Sequence, residues 1–288
     1  MGHLDKFVAG LFLVCSMHIC PSISSNDDNF DEYYYITWNK DHVIRNRGSI
    51  VQLYMTQVRG GAAFMSKNSY GSGFFKMRIK LPGKESAGVV TAYYLTSGDH
   101  NTHDELDFEF LGNRAGKRYT VQTNIFIHGK GDREQRLTLW FDPTAHFHTY
   151  SILWNEFHIV FLVDDVPIRE FKNNKRFGVS YPTQAMKVAA SLWNGENWAT
   201  DGGQTKINWT CEPFRAYFDE FNIDGCPANG INIGPCNAGN YWWNQKMYRK
   251  LNPTQQKAYQ NVKNKYLNYD YCTDKPRYPV PPPECNHL

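Results

Sequence analysis

Acidic and apolar residues alternate strictly from Glu105 to Leu111. A period of two is that of a β-strand, in which successive side chains point to opposite faces of the sheet. One face therefore carries three carboxylates, those of Glu105, Asp107 and Glu109. The other face carries bulky apolar side chains: Leu106, Phe108 and Phe110. We predict a strand that packs on a core with one face and directs its acids into a cleft.

Three neighbouring carboxylates repel one another, which raises the pKa of at least one of them and favours a shared proton. A solvated acidic strand is one alternative, and a Ca²⁺ site with oxygen ligands is another. Against both, a buried strand that uses three positions for acids indicates chemistry at that face. We expect no metal and no cofactor at this site.

The composition narrows the class of protein. A chain of 288 residues can bury a large core as one all-β domain with an appendage. A net charge of +3 without a dense basic run gives no indication of nucleic-acid binding. Aromatic residues make up 15% of the chain, and many adjoin Gly or Asn, which suits a binding surface for flat-faced ligands.

The N-terminus has the pattern of a secretory signal peptide, which we place at residues 1–25. Lys6 precedes an apolar run over residues 7–15, and small residues follow at Ser22, Ser24 and Ser25. A membrane anchor is the alternative, but the run is well below the ~20 apolar residues that a spanning helix needs. We expect a secreted protein without a membrane segment.

Removal of that segment takes Cys15 and Cys20 with it and leaves five cysteines, all in the last third of the chain. In an oxidising compartment cysteines pair, and an odd number leaves one unpaired. The favoured pairs each close a short loop: Cys226 with Cys236, and Cys272 with Cys285. Cys211 is then a free thiol, expected to be buried and inert. A zinc site is the alternative, although no Cys-x-x-Cys spacing supports it.

Most of the chain consists of short β-rich segments separated by Gly, Pro, Asn and Asp. The predicted strands, besides the acidic one, are 50–55, 73–81, 89–95, 119–126, 151–154 and 158–163, with a hairpin turn at 164–167 before a strand at 168–171. No helical apolar period of useful length occurs among them. This pattern predicts a β-sandwich over residues 26–225.

The character of the sequence changes after about residue 225. Residues 253–266 are predicted to form a helix with proline in its first turn and Tyr259, Val262 and Tyr266 on one stripe. A proline-rich extended segment then leads to Cys285. We interpret residues 226–288 as a small extension that is stapled by disulfides and packs on the sandwich.

A pair of carboxyl groups is what glycosidic bond cleavage uses, one as nucleophile or base and the other as general acid. On one strand the Cα atoms of Glu105 and Glu109 lie about 13 Å apart. Their long side chains can bring the carboxyls near the ~5.5 Å of a retaining mechanism. Asp107, between them, can keep the two protonation states apart by a hydrogen bond.

At these residues the chain resembles a known family. The strand within residues 103–112 is similar to the active-site strand of plant xyloglucan endotransglucosylase/hydrolases, a branch of glycoside hydrolase family sixteen. The similarity extends over nearly the whole mature chain, through the blocks 121–124, 130–136, 139–143 and 191–200 and the tail from Cys272 to Cys285.

The resemblance implies a concanavalin-like β-jelly roll with a cleft across its concave sheet. It makes Glu105 the nucleophile, Asp107 the helper and Glu109 the acid/base. It also implies a cleft that binds xyloglucan, lined by Gln122, Thr123, Asn124, Asp132, Arg133, Glu134, Trp193, Asn197, Trp198, Gly202 and Arg277. Amides and carboxylates can bond sugar hydroxyls, and tryptophans can stack on pyranose rings.

Several of these side chains have other interpretations. Gln122 and Asn124 could be exposed strand residues, and the segment around Asp132 could be a solvated turn. Trp193 is as consistent with a core as with a cleft. Arg277 could pair with a surface acid.

The implied activity is xyloglucan endotransglucosylation, in which the β-1,4-glucan backbone is cleaved and transferred to a xyloglucan or oligosaccharide acceptor. The short segment 128–132 favours transfer over hydrolysis, which is the alternative. A non-catalytic, lectin-like jelly roll is a second alternative, but it needs no acid together with a nucleophile. We expect a monomeric glycoprotein in the apoplast and cell wall.

Two features depart from the family pattern. The family's frequent sequon after the active-site strand is broken at Asn113, because Ala115 replaces the hydroxyl residue. Asn208, followed by Trp209 and Thr210, is the remaining predicted glycosylation site. The other departure is Cys211.

Overall fold

The computed structural model describes residues 30–45, 49–98 and 101–287. The predicted signal peptide therefore lies outside the described residues. The described chain contains two helices, α1 (Phe30–Tyr33) and α2 (Pro253–Tyr266), and short 3-10 helices in its loops. Its strands are β1 (Tyr34–Trp38), β2 (Val43–Arg45), β3 (Val51–Met55), β4 (Ala62–Ser66), β5 (Tyr70–Lys80), β6 (Val89–Thr96), β7 (Glu105–Leu111), β8 (Thr120–Phe126), β9 (Gln135–Thr138), β10 (His148–Trp154), β11 (His158–Val163), β12 (Val166–Lys172), β13 (Lys187–Asn194), β14 (Phe214–Asp219), β15 (Ile223–Pro227) and β16 (Leu267–Asp270).

These strands form two antiparallel sheets, which confirms the predicted all-β sandwich. The cleft sheet has the order β1-β4-β13-β6-β7-β8-β9-β16. The back sheet has the order β12-β11-β10-β5-β14-β3-β2, with β15 paired to β5. The acidic strand β7 is thus an inner strand of the cleft sheet, far from either edge.

The apolar face of β7 lies against the back sheet. Leu106, Phe108 and Phe110 have no exposed surface. The Phe108 ring meets Phe161 of β11 edge to face at 5.1 Å, and the Phe110 ring meets Tyr150 of β10 at 4.5 Å. Burial of each such side chain contributes roughly 1.5–3 kcal/mol, so this face anchors the strand.

The extension is continuous with the sandwich. Its strand β16 pairs with β9 and lengthens the cleft sheet, and α2 packs against β12. Asn252 caps α2 by a capping box with Gln255. The structure contains the disulfides Cys226–Cys236 and Cys272–Cys285. The domain division after residue 225 stays a prediction, and β15 runs through it.

Cys211 is a free thiol, but the expectation of full burial is wrong. The residue is half-buried and packs on the margin of the main core. It lies in a short 3-10 helix, Trp209–Cys211, outside the strands of both sheets. No helix in the described ranges is long and apolar enough to cross a membrane.

Candidate active site

The register of three neighbouring strands builds the site. On one side of β7, Glu105, Asp107 and Glu109 lie opposite Thr96, Tyr94 and Ala92 of β6, respectively. On the other side they lie opposite Phe126, Asn124 and Gln122 of β8. Since directly paired residues share a face, these side chains all surround the carboxylates.

All of them except Thr96 line a cleft of about 460 Å³ on the face of the sheet that is turned away from the core. The lining combines polar with aromatic side chains, as in a site that positions a sugar. The cleft is lined by Ala92, Tyr94, Glu105, Asp107, Glu109, Gln122, Asn124, Phe126, Glu134, Ser191, Trp193 and Trp198.

Asp107 is the central carboxyl and the most deeply buried of the three. Burial, followed by the charges of Glu105 and Glu109, raises its pKa well above the usual range. A hydrogen bond with Glu105 raises the pKa of Asp107 further and lowers that of Glu105. Both effects favour the proton on Asp107, which can then donate a hydrogen bond to the Glu105 carboxylate.

Glu105 is also affected by residues other than Asp107. Burial raises its pKa, whereas hydrogen bonds with Thr96 and Asp107 and the charge of His103 oppose that rise. His103 Nε2 lies 4.0 Å from Glu105 Oε1, and its ring stacks on Phe126 at 5.1 Å. These contacts favour an ionised Glu105 beside a protonated Asp107.

Glu109 has a different environment. Burial raises its pKa to about 7, and the hydrogen bond from Gln122 opposes that rise. Gln122 Nε2 donates to Glu109 Oε2 at 2.6 Å, while Gln122 Oε1 accepts a bond of 2.6 Å from Arg136 Nε. A carboxyl with a pKa of about 7 is partly protonated near neutral pH, which suits a general acid.

One rim of the cleft is an ionic cluster that joins the C-terminal extension to the loop carrying Asp132 and Glu134. Arg277 Nη1 donates to Glu134 Oε2 at 2.8 Å, and its other amino group pairs with Asp132. Tyr278 donates its hydroxyl to the carbonyl of Asp132 at 2.8 Å. Arg277 thus pairs with acids, the alternative that the sequence left open, and does so at the edge of the cleft.

The other rim is aromatic. The rings of Trp193 and Trp198 lie 6.0 Å apart and cover a small apolar cluster of Val90, Leu111 and Ala199. Both tryptophans are half-buried and face the cleft, so they combine packing with an available ring face. Asn197 and Gly202 lie in the exposed loop that follows, outside the lining.

The structure corrects the expectation for Thr123. It lies between Gln122 and Asn124 and so points to the opposite face, where it is fully buried. Its hydroxyl and carbonyl accept hydrogen bonds from Arg169 of the back sheet at 3.0 and 2.8 Å. Thr123 therefore connects the two sheets and does not reach the cleft.

Arg133 and Asn124 have structural contacts. Arg133 Nε donates to Glu284 at 2.6 Å, and its Nη1 bonds loop carbonyls. The Asn124 side chain lines the cleft, and its Oδ1 accepts from the Arg133 backbone N–H at 3.0 Å. Both residues therefore fix the loop that carries Asp132 and Glu134.

Besides Ala92, the sequence interpretation missed five residues near the carboxylates: Tyr94, Thr96, His103, Phe126 and Ser191. Each of the four strand residues lies on the cleft face because of strand register. The alternation in β6 and β8 could have indicated Tyr94 and Phe126 once those strands were placed beside β7. Ser191 belongs to β13. The position of β13 next to β6 is a feature of the tertiary structure that the sequence does not indicate.

Two further predictions concern other sites. Within the described ranges, no group of three or more His, Cys, Asp or Glu side chains could hold a metal ion. Asn208 is exposed, and its side chain accepts hydrogen bonds from the Thr210 backbone and hydroxyl. Glycosylation of Asn208 stays a prediction.

Comparison with known proteins identifies relatives of both parts of the chain. The model for "Glycosyl hydrolases family 16" matches residues 30–211, and that for "Xyloglucan endo-transglycosylase (XET) C-terminus" matches residues 237–285. The Arabidopsis thaliana xyloglucan endotransglucosylase/hydrolase protein 2 is 57% identical over 261 residues, 89% of this chain and 88% of that protein. The Diospyros kaki xyloglucan endotransglucosylase protein 2 is 51% identical over 262 residues, 90% and 88% of the two chains.

Solved structures share the fold. The Crh5 transglycosylase in complex with NAG has a TM-score of 0.56 and 22% identity, over 72% of this chain and 84% of that one. The Bacillus licheniformis β-glucanase has a TM-score of 0.52 and 23% identity, over 65% and 84%. The architecture is thus the jelly-roll sandwich, as predicted. Taken with the sequence matches, these findings establish that the chain belongs to the xyloglucan endotransglucosylase/hydrolase family of glycosyl hydrolases family 16.

Proposed function

We propose that the protein cleaves the β-1,4-glucan backbone of xyloglucan by a retaining mechanism, through a glycosyl-enzyme intermediate, and transfers the glycosyl group to a second xyloglucan chain. The division of protonation among the three carboxyls carries this proposal. The pKa of Asp107 lies well above its usual range, the contacts of Glu105 oppose the rise of its pKa by burial, and the pKa of Glu109 is raised to about 7. A nucleophile and an acid are therefore present together on one strand face.

In the first step, a Glu105 carboxylate oxygen attacks the anomeric carbon and forms a glycosyl ester. The bond from that carbon to the glycosidic oxygen breaks, and the oxygen takes the proton of Glu109. Asp107 donates a hydrogen bond to Glu105 and so holds the attacking carboxyl in place. The polar and aromatic side chains that line the cleft orient the sugar.

In the second step, ionised Glu109 removes a proton from an incoming hydroxyl, whose oxygen attacks the anomeric carbon and releases Glu105. The hydroxyl belongs to an acceptor chain in transfer and to water in hydrolysis. Transfer requires a rim that binds sugar better than water. The ordered cluster of Arg277, Asp132 and Glu134 offers such a rim, since its charged groups are already oriented by mutual hydrogen bonds.

The relatives' names support xyloglucan as the substrate, because they match at up to 57% identity over most of the chain. We extend the proposal to a secreted, monomeric enzyme of the cell wall, on the basis of the predicted signal peptide at residues 1–25. Gln122, Asn124, Glu134, Trp193 and Trp198 are the proposed contacts to substrate within the cleft.

The test is to incubate the protein with xyloglucan and labelled xyloglucan oligosaccharides. Label incorporated into polymer is the expected result. New reducing ends without incorporation of label would show that the protein hydrolyses xyloglucan and does not transfer it. Binding without either product would indicate the non-catalytic glycan-binding module and overturn the enzymatic proposal.

A further inference from the structure

A β-bulge in β1 places an aromatic residue on the cleft sheet, far from the carboxylates. Tyr34 and Ile36 point toward the core, so strict alternation would send Trp38 there as well. The pairing with β4 shifts by one residue between Ile36 and Trp38, which leaves Thr37 as the extra residue. Trp38 therefore pairs with Ala63 and shares the face of Tyr35. Bulges commonly redirect a side chain in this way next to active sites.

Strand register connects Trp38 to the catalytic centre. Trp38 lies opposite Ala63, Ala63 opposite Ser191, Ser191 opposite Ala92, and Ala92 opposite Glu109. These residues form one row across five strands, perpendicular to the chain direction. Four strand spacings separate its ends by roughly 19 Å, which is the length of several pyranose rings in line.

The side chains in the middle of the row are small, and we interpret this part of the row as a shallow groove. Its three inner members, Ala63, Ser191 and Ala92, have small side chains and leave its floor low. Ser191 and Ala92 also line the catalytic cleft, so the groove opens into that cleft. At the far end, 45% of the Trp38 surface and 41% of the Tyr35 surface are exposed.

One edge of the indole packs on the turn at Gly60. A Cβ atom added at Gly60 would lie 3.3 Å from Trp38, so the turn packs closely on the ring. Asn39, next in sequence, donates from its side chain to the carbonyls of Arg59 and Gly61 at 2.9 and 2.8 Å. These bonds fix the turn against Trp38. A rigid exposed ring loses little entropy when it stacks on a sugar.

We propose that Trp38, supported by Tyr35, forms a distal subsite that stacks on a pyranose ring of a long glucan chain whose cleavage point lies at Glu105. The inference rests on the proposed function, because it needs a polysaccharide that crosses the strands. It adds a preference for long substrates over short ones. A chain that occupies only the subsites beside the carboxylates does not reach Trp38.

The test compares kcat/KM for xyloglucan polymer and for a short xyloglucan oligosaccharide in Trp38→Ala. The polymer-to-oligosaccharide ratio is expected to fall about tenfold, equivalent to ~1.4 kcal/mol. Trp38→Phe retains a ring and should restore most of the ratio. Phe177→Ala removes a ring of 48% exposure near the back sheet and serves as the matched control.

Binding without turnover separates this inference from the proposed function. The Glu105→Ala variant, with and without Trp38→Ala, is run in gels that contain xyloglucan, and its retardation is measured. Weaker retardation of the double variant supports the subsite even if wild type proves inactive on xyloglucan. An unchanged ratio and unchanged retardation, in variants that melt at the wild-type temperature, would overturn the inference.

Discussion

Gln122 Nε2 donates a hydrogen bond of 2.6 Å to Glu109 Oε2, across the pairing of β7 with β8. The bond stabilises the charged form of Glu109 and opposes the rise of its pKa by burial. Arg136 bonds the other end of the amide and so determines which end of Gln122 faces the carboxyl. The proton affinity of the proposed general acid therefore depends on a residue of the neighbouring strand.

Replacement of Gln122 by Leu should shift the pH profile of activity. Without the amide donor, the charged form of Glu109 loses stabilisation and its pKa rises above about 7. The alkaline limb of kcat/KM, which reports the general acid, should move to higher pH as total activity falls. Gln204→Leu, at an exposed position, is the control. If the alkaline limb does not move, the assignment of Glu109 as the general acid is contradicted.

Replacement of Glu105 by Ala should abolish turnover while oligosaccharide binding survives, because the nucleophile is lost and the rest of the cleft remains. Loss of a catalytic nucleophile lowers kcat by several orders of magnitude. Product formation from xyloglucan and calorimetric binding of an oligosaccharide measure the two effects. Wild-type-like activity in this variant would contradict the nucleophile assignment.

Replacement of Glu109 by Gln should stabilise the protein at alkaline pH. Because the folded-state pKa of about 7 lies above the unfolded value, Glu109 contributes stability that is present below about pH 4.5 and lost as pH rises through 7. Glu109→Gln removes this loss. The unfolding free energy of the variant, relative to that of wild type, should therefore rise by up to about 3 kcal/mol between pH 4 and pH 8.

Urea unfolding at the two pH values measures this change. Glu32→Gln, at an exposed residue of α1, is the matched control and should behave as wild type at both. An advantage of Glu109→Gln that is the same at pH 4 and pH 8 would show that the carboxyl does not titrate abnormally.

Replacement of Arg169 by Met should destabilise the fold. Arg169 is fully buried, and its guanidinium bonds Thr123 and the carbonyl of Arg133, so it joins β12 to β8 behind the catalytic strand. Its loss leaves buried carbonyls without donors, at a cost of about 3 kcal/mol in unfolding free energy. Arg249→Met, which alters an exposed arginine stacked on Phe157, should cost far less.

Removal of the Cys272–Cys285 disulfide, as a double serine variant, should loosen the tail that carries Arg277. The bridge joins residues 13 apart and contributes about 3 kcal/mol in the loop-entropy account. A less ordered rim should favour water over sugar acceptors, so the ratio of transfer to hydrolysis should fall. Cys211→Ser, which alters the free thiol, should leave that ratio unchanged.

Local patterns in the sequence were sufficient for several elements. The strands Glu105–Leu111 and His158–Val163 and the helix Pro253–Tyr266 have the predicted bounds, because their periodicity or capping residues are strong. The strands β1, β4, β13 and β14 were not predicted. In these strands the burial of a side chain depends on the neighbouring strands and, in β1, on a bulge. Polar and apolar residues therefore do not alternate clearly along them.

The sequence by itself determined that an acidic strand with one apolar face lies at the centre of an all-β chain, and that the tail of this chain contains disulfides. That information is local, since alternation, turn residues and cysteine spacing act over short stretches of chain. Only the tertiary structure decided which side chains meet the carboxylates. The pairing of β7 with β6 and β8 brings Thr96 and Gln122 to them, and the bulge in β1 turns Trp38 toward the same face. Strand order and register join residues distant in sequence, and a shift of one residue would exchange the two faces.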